Sequence, residues 1–230
     1  MCRTADRETT PEVGTELCTN PLIKKISFTG STAVGKLLMK LSSDTVKKVS
    51  LELGGNAPFV VFADADIDQA VDAAVASKFR NAGQTCVCAD RFLVHGAVHD
   101  EFVEKLVDRV GQLHVGPGVD AGTTLGPLIT KDAASRVSSK VKSAVAEGAD
   151  CVAGGNGLPE VGPTFFEPTI LTNVSLDSDI WKTETFGPVA PIVKFETEEE
   201  ALAIANDSEV GLASYFCTKD LSTAFRFSQK

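Results

Sequence analysis

The hydrophobic pattern divides the chain into short elements. Residues 1 to 20 are polar, and the first clear strand is Ile23-Lys24-Lys25-Ile26-Ser27-Phe28. A helix is predicted from about Ser31 through STAVGKLLMKLSS, then a strand over VKKVSLEL that the Gly54-Gly55 pair breaks. APFVVF reads as a short buried strand. Asp66 is placed to cap the helix after it, where Ile67, Ala70, Val71, Ala74, Val75, Lys78 and Phe79 recur at helical spacing, all apolar but Lys78. RFLVH reads as a strand, and Val98 to Leu113 as a helix with Phe102, Val103, Leu106, Val107 and Val110 on one face. VGPGVDAGTTLGP is a loop, and Thr130 to Gly148 a second amphipathic helix closed by its glycine. DCVAGG, FFEPTILTNV and PVAPIVKFE are extended, with ETFGP between the last two. Thr197 to Asn206 is a short helix whose three leading glutamates suit a positive helix N-terminus, GLASYFCT is the last strand, and LSTAFRFSQK starts a further helix. Helices alternating with strands in this way predict a parallel α/β architecture.

Composition narrows the class. At 230 residues and 43% hydrophobic content the chain has the apolar surface for one large domain or two small ones. A net charge of −9 without a Lys/Arg run argues against nucleic acid or an anionic membrane as partner. No apolar run is long enough to cross a bilayer, and MCRTADRETTPEVG lacks the apolar region of a secretory signal. Cys2, Cys18, Cys86, Cys88, Cys151 and Cys217 are scattered rather than framed, which suits a reducing intracellular compartment. A zinc site from Cys86, Cys88 and His95 lacks a second ligand pair, so no metal is expected.

The candidate chemistry sits at FRNAGQTCVCADR, Phe79 to Arg91. Cys86 follows a Gly-Gln-Thr turn on a connecting segment, where a reactive side chain can meet a substrate. A thiolate is a strong nucleophile near neutral pH, although an isolated cysteine is more often simply buried. LELGGNAPF adds Glu52 ahead of a Gly-Gly turn, a candidate base beside the ordinary reading of a solvated strand-end acid. Phe28-Thr29-Gly30-Ser31-Thr32-Ala33-Val34-Gly35 is a strand, a turn and a helix start. Backbone N–H groups there can hold a phosphate, but the stretch lacks the GxGxxG fingerprint and equally fits a plain tight turn.

ELGG followed by GQTC, together with ISFTGSTAVGK and ETFGPVAP, resembles the aldehyde dehydrogenase superfamily, and FRNAGQTCVC is similar to its succinate-semialdehyde dehydrogenase branch. The resemblance covers essentially the whole chain. It implies the C-terminal part of a Rossmann-type cofactor domain, residues 1–53, followed by a catalytic domain, residues 54–230, with both ends cut short. It implies that Cys86 is the nucleophile and Glu52 the base for water. Thr29, Gly30, Ser31 and Gly35 would lie by the cofactor phosphates, Leu53 would also contact the cofactor, and Glu184 and Phe186 would hold the nicotinamide end. Arg80 would take the substrate's far carboxylate with its planar fork. Cys88 would be the partner of Cys86 in a redox switch. The implied cofactor is NAD, with NADP the other candidate, and the substrate a small aldehyde. The implied reaction is oxidation of succinate semialdehyde to succinate in 4-aminobutyrate breakdown. The alternatives are glutarate semialdehyde as substrate, or a non-catalytic subunit that binds full-length partners. The family also implies homo-oligomers of full-length members, an inactive chain at this length, and the mitochondrial matrix in a eukaryote or the cytoplasm otherwise.

Overall fold

A computed structural model describes residues 8–230, so Cys2 lies outside the described residues. The chain divides into two compact units, with the break between Gly54 and Gly55.

The smaller unit holds α1 (Thr10–Thr19), β1 (Lys25–Thr29), α2 (Thr32–Ser43) and β2 (Lys48–Glu52). The strands pair in parallel, with Phe28 opposite Leu51 and Thr29 opposite Glu52. Ser31 caps α2 by accepting from the Val34 N–H at 3.4 Å. α1 forms in the polar stretch where the pattern marks no element. Its proline sits in the first turn and Glu12 suits the helix N-terminus. It buries only Cys18, which packs with Ile26 and Leu38. A single buried residue leaves no periodic stripe to read.

The larger unit is built on a six-stranded sheet in the order β5-β6-β7-β4-β3-β8. Its strands are β3 (Ala57–Val61), β4 (Ala89–His95), β5 (Asp150–Ala153), β6 (Thr169–Thr172), β7 (Val189–Phe195) and β8 (Tyr215–Cys217). Every pairing is parallel except β5 with β6. The helices are α3 (Ile67–Lys78), α4 (Gly96–Val110), α5 (Lys131–Ala146), the short α6 (Asp179–Lys182), α7 (Glu198–Asn206) and α8 (Leu221–Ser228). Asp66 caps α3 as its position predicts, accepting from the Gln69 N–H at 3.2 Å. Thr130 and Thr197 cap α5 and α7 in the same way. β4 lies inside the sheet and is buried along almost its whole length, as expected of a parallel strand covered on both faces. Phe59, Phe92, Phe102, Leu106, Ile192 and Phe195 are among the core residues that join sheet to helices.

This topology positions the candidate chemistry. The segment GGN enters β3, TCVC enters β4, TFGP enters β7, and Tyr215 begins β8. These four strands are adjacent and parallel, so all four entries lie along one edge of the sheet, the amino ends of the strands.

Candidate active site

Cys86 sits at the second position of a tight turn. The Cys88 N–H donates to the Thr85 carbonyl at 3.1 Å and closes the turn. The Thr85 hydroxyl and the Cys88 thiol lie 2.9 Å apart, and the Cys88 thiol also reaches the Lys78 carbonyl at 3.7 Å. Cys88 is therefore buried and directed back into the protein, while Cys86 is half-buried. Both thiols are free. Burial holds other thiols protonated: it pushes the Cys217 thiol up to about 11 and raises Cys151.

The run-up to this turn is strained. After α3, Arg80–Gly83 makes a single 3-10 turn in which Asn81, Ala82 and Gly83 all have left-handed backbone, with φ of 52°, 54° and 74°. Such conformations cost a non-glycine residue about 1–2 kcal/mol each. Packing holds them: a Cβ on Gly83 would overlap the Gly187 carbonyl of the TFGP segment. Gln84 adds cross-links, accepting from the Ile129 N–H at 2.8 Å and donating to the Pro127 carbonyl at 3.2 Å. On another side a Cβ on Gly55 would overlap the Cys86 carbonyl, so only glycine lets the GGN segment approach the cysteine turn so closely.

Glu184 ties the third motif to the first. Its Oε1 accepts from the Gly55 N–H at 3.1 Å. Burial pushes its carboxyl above the usual glutamate range. The Gly55 hydrogen bond and the Lys78 and Lys140 charges pull the other way, and the Asp90 charge adds to the rise. Lys140 reaches across from α5 to the Asp179 and Thr183 carbonyls and the Thr183 hydroxyl, and so fixes the backbone just before Glu184. Phe186 follows with φ of 50°, an unusual backbone for an aromatic residue, and is itself 41% exposed.

Lys78, the one polar member of the α3 stripe, is fully buried and pairs with Asp90 at 2.6 Å. The pair joins the end of α3 to β4 directly behind the cysteine turn. A lysine on an apolar helix face and an aspartate entering an apolar strand are the signal of a buried pair, but the spacing along the chain does not say that these two meet. Arg80 is exposed and makes no ion pair among the described residues. Its charge acts on Tyr215, whose hydroxyl donates to the Val87 carbonyl at 2.7 Å. Cys86, Cys88, Arg80, Glu184 and Phe186 are thus all placed by the larger unit.

The other candidates belong to the smaller unit. Glu52 is exposed at the end of β2, where its carbonyl accepts from the Gly30 N–H at 3.0 Å. Thr29, Gly30 and Ser31 form an exposed strand-to-helix turn with no acid in the first turn of α2. Gly35 is buried, and a Cβ there would overlap Leu53, so this glycine serves close packing of helix on strand. Among the described residues no His/Cys/Asp/Glu cluster has the form of a metal site, and no helix is long and apolar enough to cross a membrane.

The sequence matches the aldehyde dehydrogenase family over residues 7–230. It is 54% identical, over 95% of its length, to succinate-semialdehyde dehydrogenase [NADP(+)] 1 of Schizosaccharomyces pombe, and covers 44% of that protein. It is 51% identical over 95% of its length to glutarate-semialdehyde dehydrogenase of Pseudomonas aeruginosa, covering 45% of it. The crystal structure of succinate-semialdehyde dehydrogenase from Burkholderia pseudomallei superposes with a TM-score of 0.95 at 51% identity, over 99% of this chain and 46% of that one. The chain therefore spans less than half the length of these relatives.

Proposed function

This chain belongs to the aldehyde dehydrogenase family, and from that premise we propose that it carries the nucleophile-bearing part of an oxidoreductase converting succinate semialdehyde to succinate. The observation that carries the reading is the turn at Cys86. A half-buried thiol stands at its second position, Gly55 packs on its carbonyl, and the strained Asn81–Gly83 segment just before it packs on Gly187 of TFGP. The Cys86 thiolate attacks the aldehyde carbon, and the Cys86 backbone N–H offers one donor to the oxygen that becomes negative. A bound nicotinamide dinucleotide, NAD or NADP, supplies the hydride acceptor. Glu184 spends one oxygen on Gly55 and keeps the other as an acceptor suited to a ribose hydroxyl, and Phe186 offers an exposed ring face. In the smaller unit, Thr29, Gly30 and Ser31 offer a helix N-terminus suited to phosphate, with Gly35 and Leu53 packing behind. The resulting Cys86 thioester is hydrolysed by water. Glu52 is assigned the base's role from its ELGG motif. Arg80, exposed and without an ion-pair partner among the described residues, is assigned the far carboxylate of the substrate.

Two variants test this in protein carried at the full length of its relatives. Cys86→Ser is expected to abolish NAD(P)-dependent oxidation. Arg80→Ala should lower kcat/KM for succinate semialdehyde roughly tenfold to a hundredfold, the loss of a charge-assisted bond of about 1.5–3 kcal/mol, and spare a neutral aldehyde. Equal losses on both aldehydes would remove Arg80 from the substrate site. Glutarate semialdehyde is the second candidate, since the Pseudomonas relative is named for it.

We also propose that Cys88 resolves an oxidised Cys86, because only Val87 separates them. Peroxide converts the Cys86 thiol to a sulfenic acid with release of water. The Cys88 thiol then displaces a second water to give the disulfide, which a dithiol reduces. Cys88 must first leave Thr85, so the switch is expected to close slowly. Cys88→Ala should remain active and lose thiol-reversible inactivation. Full recovery of that variant after peroxide and dithiothreitol excludes Cys88 as the partner.

A further inference from the structure

Tyr215 lies more than a hundred residues from the cysteine turn in sequence, yet its hydroxyl donates to the Val87 carbonyl at 2.7 Å. That carbonyl belongs to the peptide joining Val87 to Cys88. The other side of the same peptide, the Cys88 N–H, is bonded to the Thr85 carbonyl at 3.1 Å. The preceding carbonyl, that of Cys86, is packed against Gly55. Two successive carbonyls after the candidate nucleophile are therefore held from outside the turn, one by glycine contact and one by a phenol.

The phenol is itself placed by the sheet. Tyr215 opens β8 opposite Phe59 of β3, and the two rings lie 6.0 Å apart. Burial, with the Cys88 charge added, raises the Tyr215 phenol above its ordinary value, against the opposing pull of Arg80, so it is a donor at neutral pH. We propose that Tyr215 is a positioning residue: it holds the Val87–Cys88 peptide and thereby fixes the direction of the Cys86 thiol and of the Cys86 N–H. The proposal rests on Cys86 being the nucleophile, and it assigns a role to a side chain that acts through the Val87 carbonyl. Geometry supports it over a purely structural role, because the ring already has its packing partner and the hydroxyl adds only the bond to the turn.

Tyr215→Phe tests it, since the ring and its contact with Phe59 remain. Amide exchange read residue by residue on the chain is expected to show Cys88 exchanging roughly five- to tenfold faster, the effect of one hydrogen bond of about 1 kcal/mol, with β3 and β4 protection unchanged. In protein carried at the full length of its relatives, kcat should fall roughly five- to tenfold with KM within about twofold, the signature of lost orientation rather than lost binding. Unchanged Cys88 exchange would overturn the proposal, and so would faster exchange with an unchanged kcat. Failure of the underlying reading is seen separately, as turnover that survives Cys86→Ser.

Discussion

Glu184 shows how one side chain carries both the architecture and the electrostatics of the site. It accepts the Gly55 N–H, and burial raises its carboxyl above the usual range. A carboxyl raised in the folded state binds more protons folded than unfolded at intermediate pH. Its ionisation therefore removes stability as the pH rises through the folded value, and acidification restores it. Glu184→Gln keeps an acceptor for Gly55 and carries no charge to desolvate. The variant is expected to melt above the parent at pH 7, with the gap closing below the ordinary glutamate value of about 4. Melting curves from pH 3 to 8 check this, and a gap independent of pH would show that burial of the charge is not its cause. Lys78 makes the complementary point. Its place in an otherwise apolar stripe marks it as buried, but only the fold shows that Asp90 meets it.

At the level of elements, the site depends on loops approaching without side chains between them. Gly83 combines left-handed backbone, at φ 74°, with contact against the Gly187 carbonyl. Gly83→Ala is expected to cost about 2–4 kcal/mol, summing backbone strain and displacement of the TFGP segment. Gly118→Ala, where a Cβ meets nothing within 4 Å, should stay within about 0.5 kcal/mol. Urea unfolding of both variants decides the matter: similar losses would mean that the close approach is not what Gly83 provides. The longer helices of the larger unit needed no such help to be recognised. Asp66 caps the helix its position predicts, and Thr130 and Thr197, where the sequence pattern starts two later helices, cap α5 and α7, because capping is a contact between neighbours.

Over the whole molecule, the two units differ in how much they bury. The smaller has Cys18, Ile26 and Leu38 as its buried cluster, and at roughly 1.5–3 kcal/mol per fully buried side chain this is a marginal core. The larger has a continuous core from Phe59 to Ala201, and it contains Trp181, the chain's one tryptophan, 1% exposed. Trp181 emission therefore reports only the larger unit. Far-UV ellipticity, to which α1 and α2 contribute, is expected to start falling at lower denaturant than the Trp181 emission shifts. Superimposable transitions would mean that the two units unfold as one.

What the sequence determined by itself is what neighbours in the chain decide. The α/β alternation, the caps, the buried strands at APFVVF and RFLVH, and a cysteine presented on a connecting turn all follow from periodicity and local hydrogen bonding. α1 escaped because one buried residue makes no pattern. Motif resemblance carried further, to the likeness with aldehyde dehydrogenases that the matched relatives bear out. What only the tertiary structure decided is which segments meet. Strand order places the entries of β3, β4, β7 and β8 along one sheet edge, bringing Gly55 to Cys86 and Glu184, and Gly83 to Gly187. The same edge brings the Tyr215 hydroxyl to Val87 across a separation of 128 residues. Hydrophobic periodicity says that a strand is buried, but not which strand lies beside it, and so it is silent on the partners that hold the cysteine turn in place.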